Sequence, residues 1–194
     1  MAKKILIVVG SPGAGKTTIL KAFSDIPGIS IVNLGTLMLE FGLARKYVKQ
    51  RDELRYLDGA KFDELRNMAI DKINSTEGNV IIDTHASVGE NGRYMPGLPL
   101  GALDQFGHRV TGLVYIDATT KDILDRRKND STRKREKEDE TMIDDQRLIN
   151  LSTLAFASSY LNAPLFVVVN KAGEAGVEES IKDIKSRLGE IFGD

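Results

Sequence analysis

Residues 5–17 read ILIVVGSPGAGKT, and no other stretch of the 194-residue chain limits its fold as strongly. Five successive apolar residues, Ile5 to Val9, run into a loop holding Gly10, Gly13 and Gly15. A strand apolar on consecutive positions is buried on both faces, the habit of parallel sheets. The loop fits G-x-x-x-x-G-K-[ST], and a helical pattern starts at Lys16. Strand, glycine loop and helix in that order form a phosphate cradle. The glycines are expected to take backbone conformations closed to other residues, so that successive N–H groups turn toward one anion. The helix start adds its positive end. Gly10, Ser11, Pro12, Gly13, Ala14, Gly15, Lys16, Thr17 and Thr18 are therefore read as a nucleoside-triphosphate site. Lys16 is expected to reach the terminal phosphates, and the Thr17 hydroxyl to ligate Mg²⁺.

The remaining pattern agrees with an α/β fold. Apolar runs recur at 29–33, 79–83, 112–117 and 165–170, separated by helically spaced stretches at 37–47, 51–73, 100–105, 120–129, 139–161 and 177–191. Strands alternating with helices predict a five-stranded parallel sheet with helices on both faces, in a single domain spanning residues 1–194. The segment GENGRYMPGLP at 89–99 carries the glycines and prolines of a loop.

Composition narrows the function. Lysine and arginine number 27 against 28 acids, giving a net charge of −1, so a generic nucleic-acid binder is disfavoured. No cysteine is present, which excludes a thiol nucleophile and a cysteine-held zinc. No apolar run approaches the ~18 residues of a membrane span, so a soluble, cytoplasmic protein is expected.

Other residues suggest what the site does. Asp83 ends the third apolar run, at the carboxyl edge of the sheet, where an acid can hold Mg²⁺ directly or through water. A cap on the following turn is the lesser alternative. His85 either touches substrate or orients Asp83. A guanine-binding N-K-x-D motif is missing, since residues 170–173 are NKAG. Asn170 and Lys171 instead close the last strand, where a base can rest on backbone atoms. Arg51 and Arg55 stand four apart, which on an α-helix is one face able to grip a monophosphate. Pairing with Asp52 or Asp58 is the alternative.

A phosphate acceptor needs no general base, because its second pKa lies near 6. Catalysis then reduces to aligning two anions and neutralising the charge between them. The run DRRKNDSTRKREKEDE at 125–140 has no large apolar side chain, with bases crowding its start and acids its end. Away from an anion site it is a solvated face. Beside a phosphate cradle, 126–138 reads as a short lid, with Arg126, Arg133 and Arg135 joining Lys16 as catalytic cations.

Six stretches together resemble the archaeal-type adenylate kinases: GSPGAGKTT (10–18), VNLGTLMLE (32–40), RDELRYL (51–57), IDTHA (82–86), YMPGLP (94–99) and RRKNDSTRKR (126–135). DTHA followed by PGLP is the most specific combination. The resemblance implies a P-loop fold of the nucleoside-monophosphate-kinase type with a short lid, catalysing MgATP + AMP ⇌ 2 ADP. It implies that Gly35 and Thr36 start the helix beside AMP, and that the protein forms a homotrimer. The D-G-[FY]-P-R signature and zinc-bearing lid of bacterial adenylate kinases are absent, so Arg51 and Arg55 rest on spacing. Two other readings stay open, a P-loop kinase for CMP, UMP or a non-nucleotide acceptor, and a nucleotide-dependent binding switch.

Overall fold

A computed structural model describes residues 2–90, 93–128 and 140–192. The chain runs through β1 (Ile5–Gly10), α1 (Lys16–Lys21), β2 (Ile29–Asn33), α2 (Leu34–Ala44), a 3₁₀ helix (Arg51–Tyr56) and α3 (Gly59–Ser75). It continues through β3 (Asn79–Thr84), β4 (Ser87–Glu90), β5 (Arg93–Pro96), α4 (Leu100–Phe106), β6 (Val110–Asp117), α5 (Thr120–Lys128), α6 (Glu140–Leu161), β7 (Leu165–Val169) and α7 (Glu174–Phe192).

Five strands form one sheet in the order β2-β3-β1-β6-β7, every neighbouring pair parallel. The expected α/β architecture is present. β1 lies at the centre, and its side chains alternate between two cores. Ile5, Ile7 and Val9 join residues of α2, α3, α4 and α6 on one face. Leu6 and Val8 join residues of α1, α5 and α7 on the other. All five are 0–1% exposed, and each contributes about 1.5–3 kcal/mol by leaving water. This anchoring carries the loop after β1 to the carboxyl edge of the sheet, between β3 and β6.

Three local readings change. First, the stretch at 51–73 is not one helix. Asp58 caps α3 by accepting from Lys61 N–H at 2.9 Å, which starts a new helix there and leaves 51–56 as 3₁₀. Second, the loop at 89–99 contains an antiparallel hairpin, β4 with β5, pairing Ser87 with Pro96 and Glu90 with Arg93. Third, the last strand is not buried on both faces. β7 is an edge strand, and Val167 and Val169 are half exposed. A run of apolar residues signals a strand but does not say whether a neighbour covers it.

Candidate active site

The cradle is held by donors outside it. Arg126 Nη1 donates to the carbonyls of Gly13 (3.3 Å) and Ala14 (3.1 Å), and Arg127 donates twice to Pro12 (2.8 and 2.6 Å). Asn170 Nδ2 adds a bond to the Ala14 carbonyl at 2.8 Å. A trans peptide sets its N–H opposite its carbonyl, so the N–H groups of Gly13 and Gly15 point away from these donors. Gly13 and Gly15 have φ of +90° and +89°, where an L side chain is strained. A Cβ on Gly15 would also run into the Asn170 amide.

Gly10 departs from expectation. Its φ is not positive, so conformational freedom is not its purpose. A Cβ there would stand 2.8 Å from the Ile116 carbonyl, so it is glycine because β6 passes too close. Ser11 is 3% exposed and bonds the Tyr115 hydroxyl at 2.8 Å. Thr17 and Thr18 are exposed on the first turn of α1.

Lys16 is nearly enclosed, and its ammonium pairs with Asp83 Oδ1. Burial pushes it down to about 8, the Arg51 charge adding to the lowering. The Asp83 carboxylate in contact pulls the other way. Asp83 reaches this position because its strand is in register with both neighbours, opposite Val8 of β1 and Asn33 of β2.

The other oxygen of Asp83 accepts from Asn33 Nδ2 at 2.7 Å. Asn33 Oδ1 in turn caps α2, accepting from Thr36 N–H at 2.8 Å and the Thr36 hydroxyl at 3.0 Å. Arg51 donates to Thr36 Oγ1 and to Asn33 Oδ1, both at 3.3 Å. Lys16, Asp83, Asn33, Thr36 and Arg51 thus form one connected polar series across three strands. Gly35 adjoins it, since a Cβ there would lie 2.8 Å from Arg51 Nη2 and the guanidinium would have to shift. Sequence reasoning missed Asn33. Its signal was an asparagine between an apolar run and a helical one, the N-cap pattern.

The arginine pair does not stand on one face. In a 3₁₀ helix of three residues per turn, positions four apart are rotated by about 120°. Arg51 faces the start of α2, while Arg55 makes a 3.4 Å contact with Asp52. Of the two, Arg51 joins the site. The local-acid alternative describes Arg55.

A cleft of about 560 Å³ opens beside the cradle, lined by Gly15, Thr18, Arg126, Asn170, Gly173 and Val177 among others. Arg126 also bonds the carbonyls of Asn170 and Lys171 at 3.3 Å each, tying the cradle to the end of β7. It lies in the last turn of α5, as do Arg127 and Lys128. Residues 129–138 of the expected lid, with Arg133 and Arg135, lie outside the described residues. His85 is exposed in the turn after β3, and a Cβ on Gly97 would collide with its carbonyl.

At the end of β6, Asp117 Oδ2 accepts from Arg147 Nε at 2.8 Å, and Arg147 also donates to the Ala118 carbonyl at 2.9 Å. Arg147 sits on α6, about two turns past residues 129–139, and was not singled out by sequence reasoning. No group of three or more metal-ligating side chains occurs among the described residues. A divalent ion here would take most of its ligands from water and phosphate.

Residues 9–144 match the family model described as an AAA domain. The chain is 38% identical over 189 residues to the adenylate kinase of Saccharolobus solfataricus, covering 91% of this chain and 96% of that one. It is 34% identical over 168 residues to the adenylate kinase of Thermoplasma acidophilum, covering 87% and 90%. Among solved structures, a shikimate kinase from Bacteroides thetaiotaomicron superposes with a TM-score of 0.64 at 17% identity, covering 96% of this chain and 99% of that one. At that identity the likeness speaks for the fold alone.

Proposed function

The chain belongs to the adenylate kinase family, and from that premise we infer that it catalyses ATP + AMP ⇌ 2 ADP, with Mg²⁺ as the accompanying ion. The observation that carries the reading is the polar series from Lys16 through Asp83, Asn33 and Thr36 to Arg51. It joins a triphosphate cradle to a second cationic site at the start of α2. A transferase between two anionic substrates needs such a pair of sites at a fixed separation.

The roles proposed are these. Gly10 to Thr18 bind the ATP phosphates, and the cleft beside Gly15 and Asn170 takes its base. Gly35, Thr36 and Arg51 receive AMP, with His85 near the acceptor side and Arg55 outside the direct contacts. Lys16 exchanges Asp83 for a phosphate oxygen when nucleotide enters. That exchange releases the carboxylate, which with the Thr17 hydroxyl would hold Mg²⁺, partly through water. When bound, the ion neutralises charge on the transferring phosphoryl group. Arg126 stays on the cradle carbonyls and orders the loop. Arg133 and Arg135 are proposed as the cations of a lid at 126–138, acting when both substrates are in place.

The family resemblance also supports a homotrimer in the cytoplasm. Among the described residues no helix is long and apolar enough to cross a membrane. On α6, Leu148, Phe156 and Tyr160 are 65%, 52% and 48% exposed, a surface suited to a second copy. Sedimentation at the mass of a monomer at micromolar concentration would remove the trimer.

A coupled assay across AMP, CMP, UMP and GMP, with ATP and magnesium, tests the activity. ADP formation is expected with AMP. Transfer to CMP or UMP but not AMP would reassign the acceptor, and hydrolysis unaffected by any monophosphate would point to a switch. Within the reaction, Arg51→Ala is expected to raise KM for AMP while KM for ATP changes less than about twofold. A charge-assisted hydrogen bond is worth about 1.5–3 kcal/mol, so the rise is roughly tenfold to a hundredfold. Equal weakening of both substrates would take Arg51 out of the acceptor site.

A further inference from the structure

β2 passes into α2 without a connecting residue, so Asn33 is both the last residue of the strand and the cap of the helix. Its register partner on β3 is Asp83. A single carboxamide therefore stands between the carboxylate beside the cradle and the helical turn that carries Thr36. Nδ2 donates to Asp83 Oδ2 at 2.7 Å. Oδ1 accepts from Thr36 N–H at 2.8 Å, from the Thr36 hydroxyl at 3.0 Å and from Arg51 Nη2 at 3.3 Å.

Only one orientation of the amide satisfies these partners. A backbone N–H and a guanidinium can only donate, so the atom facing them must be oxygen. An ionised carboxylate can only accept, so the group facing Asp83 must be NH₂. A reversed amide would lose the bonds to Thr36 N–H, Arg51 and Asp83 together. The Thr36 hydroxyl spends its proton on Asn33 and accepts in turn from Arg51 Nη1 at 3.3 Å.

Among the described residues the Asp83 side chain has two polar partners, and they differ in permanence. Lys16 holds Oδ1 through its ammonium, for which any phosphate entering the cradle competes. Asn33 holds Oδ2 through a neutral amide whose other end is anchored at Thr36. Once Lys16 turns to phosphate, the bond from Asn33 is what keeps the direction of the carboxylate. We propose that Asn33 is a positioning residue that holds the Asp83 carboxylate after Lys16 has left it and ties that carboxylate to the start of α2, so that the two phosphate sites keep one separation. The proposal rests on the assignment of Asp83 to the donor side and Arg51 to the acceptor side, which the wild-type transfer assay tests by itself.

Asn33→Ser separates the two ends of the carboxamide. Serine caps a helix about as well as asparagine, so the Thr36 end is kept. Its single short hydroxyl cannot reach Asp83 as well, so the other end is lost. With both substrates and magnesium saturating, the variant is expected to lower kcat about ten- to hundredfold, since a misplacement of about 1 Å can cost about a hundredfold. Calorimetric affinities for AMP and for a non-hydrolysable ATP analogue, measured in EDTA, are expected to stay within about threefold of wild type, because an alignment defect acts on the transition state rather than on either ground state. Asn33→Ala, which removes both ends, is expected to weaken AMP binding as well. A merely structural asparagine would lower the melting temperature and leave kcat per folded molecule unchanged, so a kcat within about threefold of wild type overturns the proposal. So does a loss of AMP affinity in Asn33→Ser as large as that in Asn33→Ala, or a loss of analogue affinity as large as the loss of kcat. Asn33→Thr makes the same separation should the serine variant fail to fold.

Discussion

Lys16→Ala is expected to lower kcat by about a hundredfold or more, the typical loss when one preorganised donor to developing charge is removed. Two features make this a large effect. The side chain is 10% exposed, so the field of its ammonium is little screened by water. It also holds Asp83 before nucleotide arrives, so its loss leaves a nearly buried carboxylate with Asn33 alone. Lys16→Arg does not restore the rate if the site needs a compact charge rather than a planar fork. The measurement is kcat by coupled assay with both substrates saturating, and a rate within threefold of wild type removes Lys16 from the chemistry.

The same lysine makes a pH-dependent prediction. Its ammonium is lowered to about 8 in the free protein, mainly by burial. Bound polyphosphate favours the cationic form and moves the pKa back up. ATP binding at pH 8.5 is therefore expected to take up protons, and binding at pH 6.5, where Lys16 is already charged, to take up none through it. Calorimetry in two buffers of different ionisation enthalpy reads the difference. Equal heats at pH 8.5 after buffer correction would contradict the lowered value.

Gly15→Ala is the second large expectation, and it acts through the backbone. At φ +89° the alanine is strained by about 1 kcal/mol or more. Its Cβ would also occupy the place of the Asn170 amide, breaking the bond from Asn170 to the Ala14 carbonyl. The cradle then loses its shape and one tie to β7 together. ATP binding is expected to weaken by more than a hundredfold, with a lower melting temperature. Gly28→Ala is the control, because its φ of +77° carries the same strain while nothing lies within 4 Å of its Cβ. That variant is expected to lose some stability and no ATP affinity. If Gly15→Ala behaves like Gly28→Ala, backbone strain alone explains it and the Asn170 tie has no role in binding.

How much of this was legible in the chain depends on how local each cause is. The five strands, the cradle and the alternation with helices were readable because burial on two faces and a tight anion-binding loop impose demands on consecutive residues. Ile5 to Val9 and Gly13 to Lys16 each meet those demands within a few positions. Asn33 was readable in principle as a helix cap, but its second bond, to Asp83, joins residues fifty apart. Whether Arg51 and Arg55 share a face depended on the helix type. That was decided by Asp58 capping α3, which leaves 51–56 as a 3₁₀ helix. Gly10 looked like a flexible glycine in sequence and is a small one in space, because the passing strand lies more than a hundred residues away.

From the amino-acid order alone came the kind of fold, the phosphate cradle and the family, since backbone conformation and strand burial are written into neighbouring residues. Left to the tertiary structure were the polar series from Lys16 to Arg51 and the different surroundings of Arg51 and Arg55. Those depend on strand register and helix packing, which bring together side chains whose separation in sequence carries no signal of their contact.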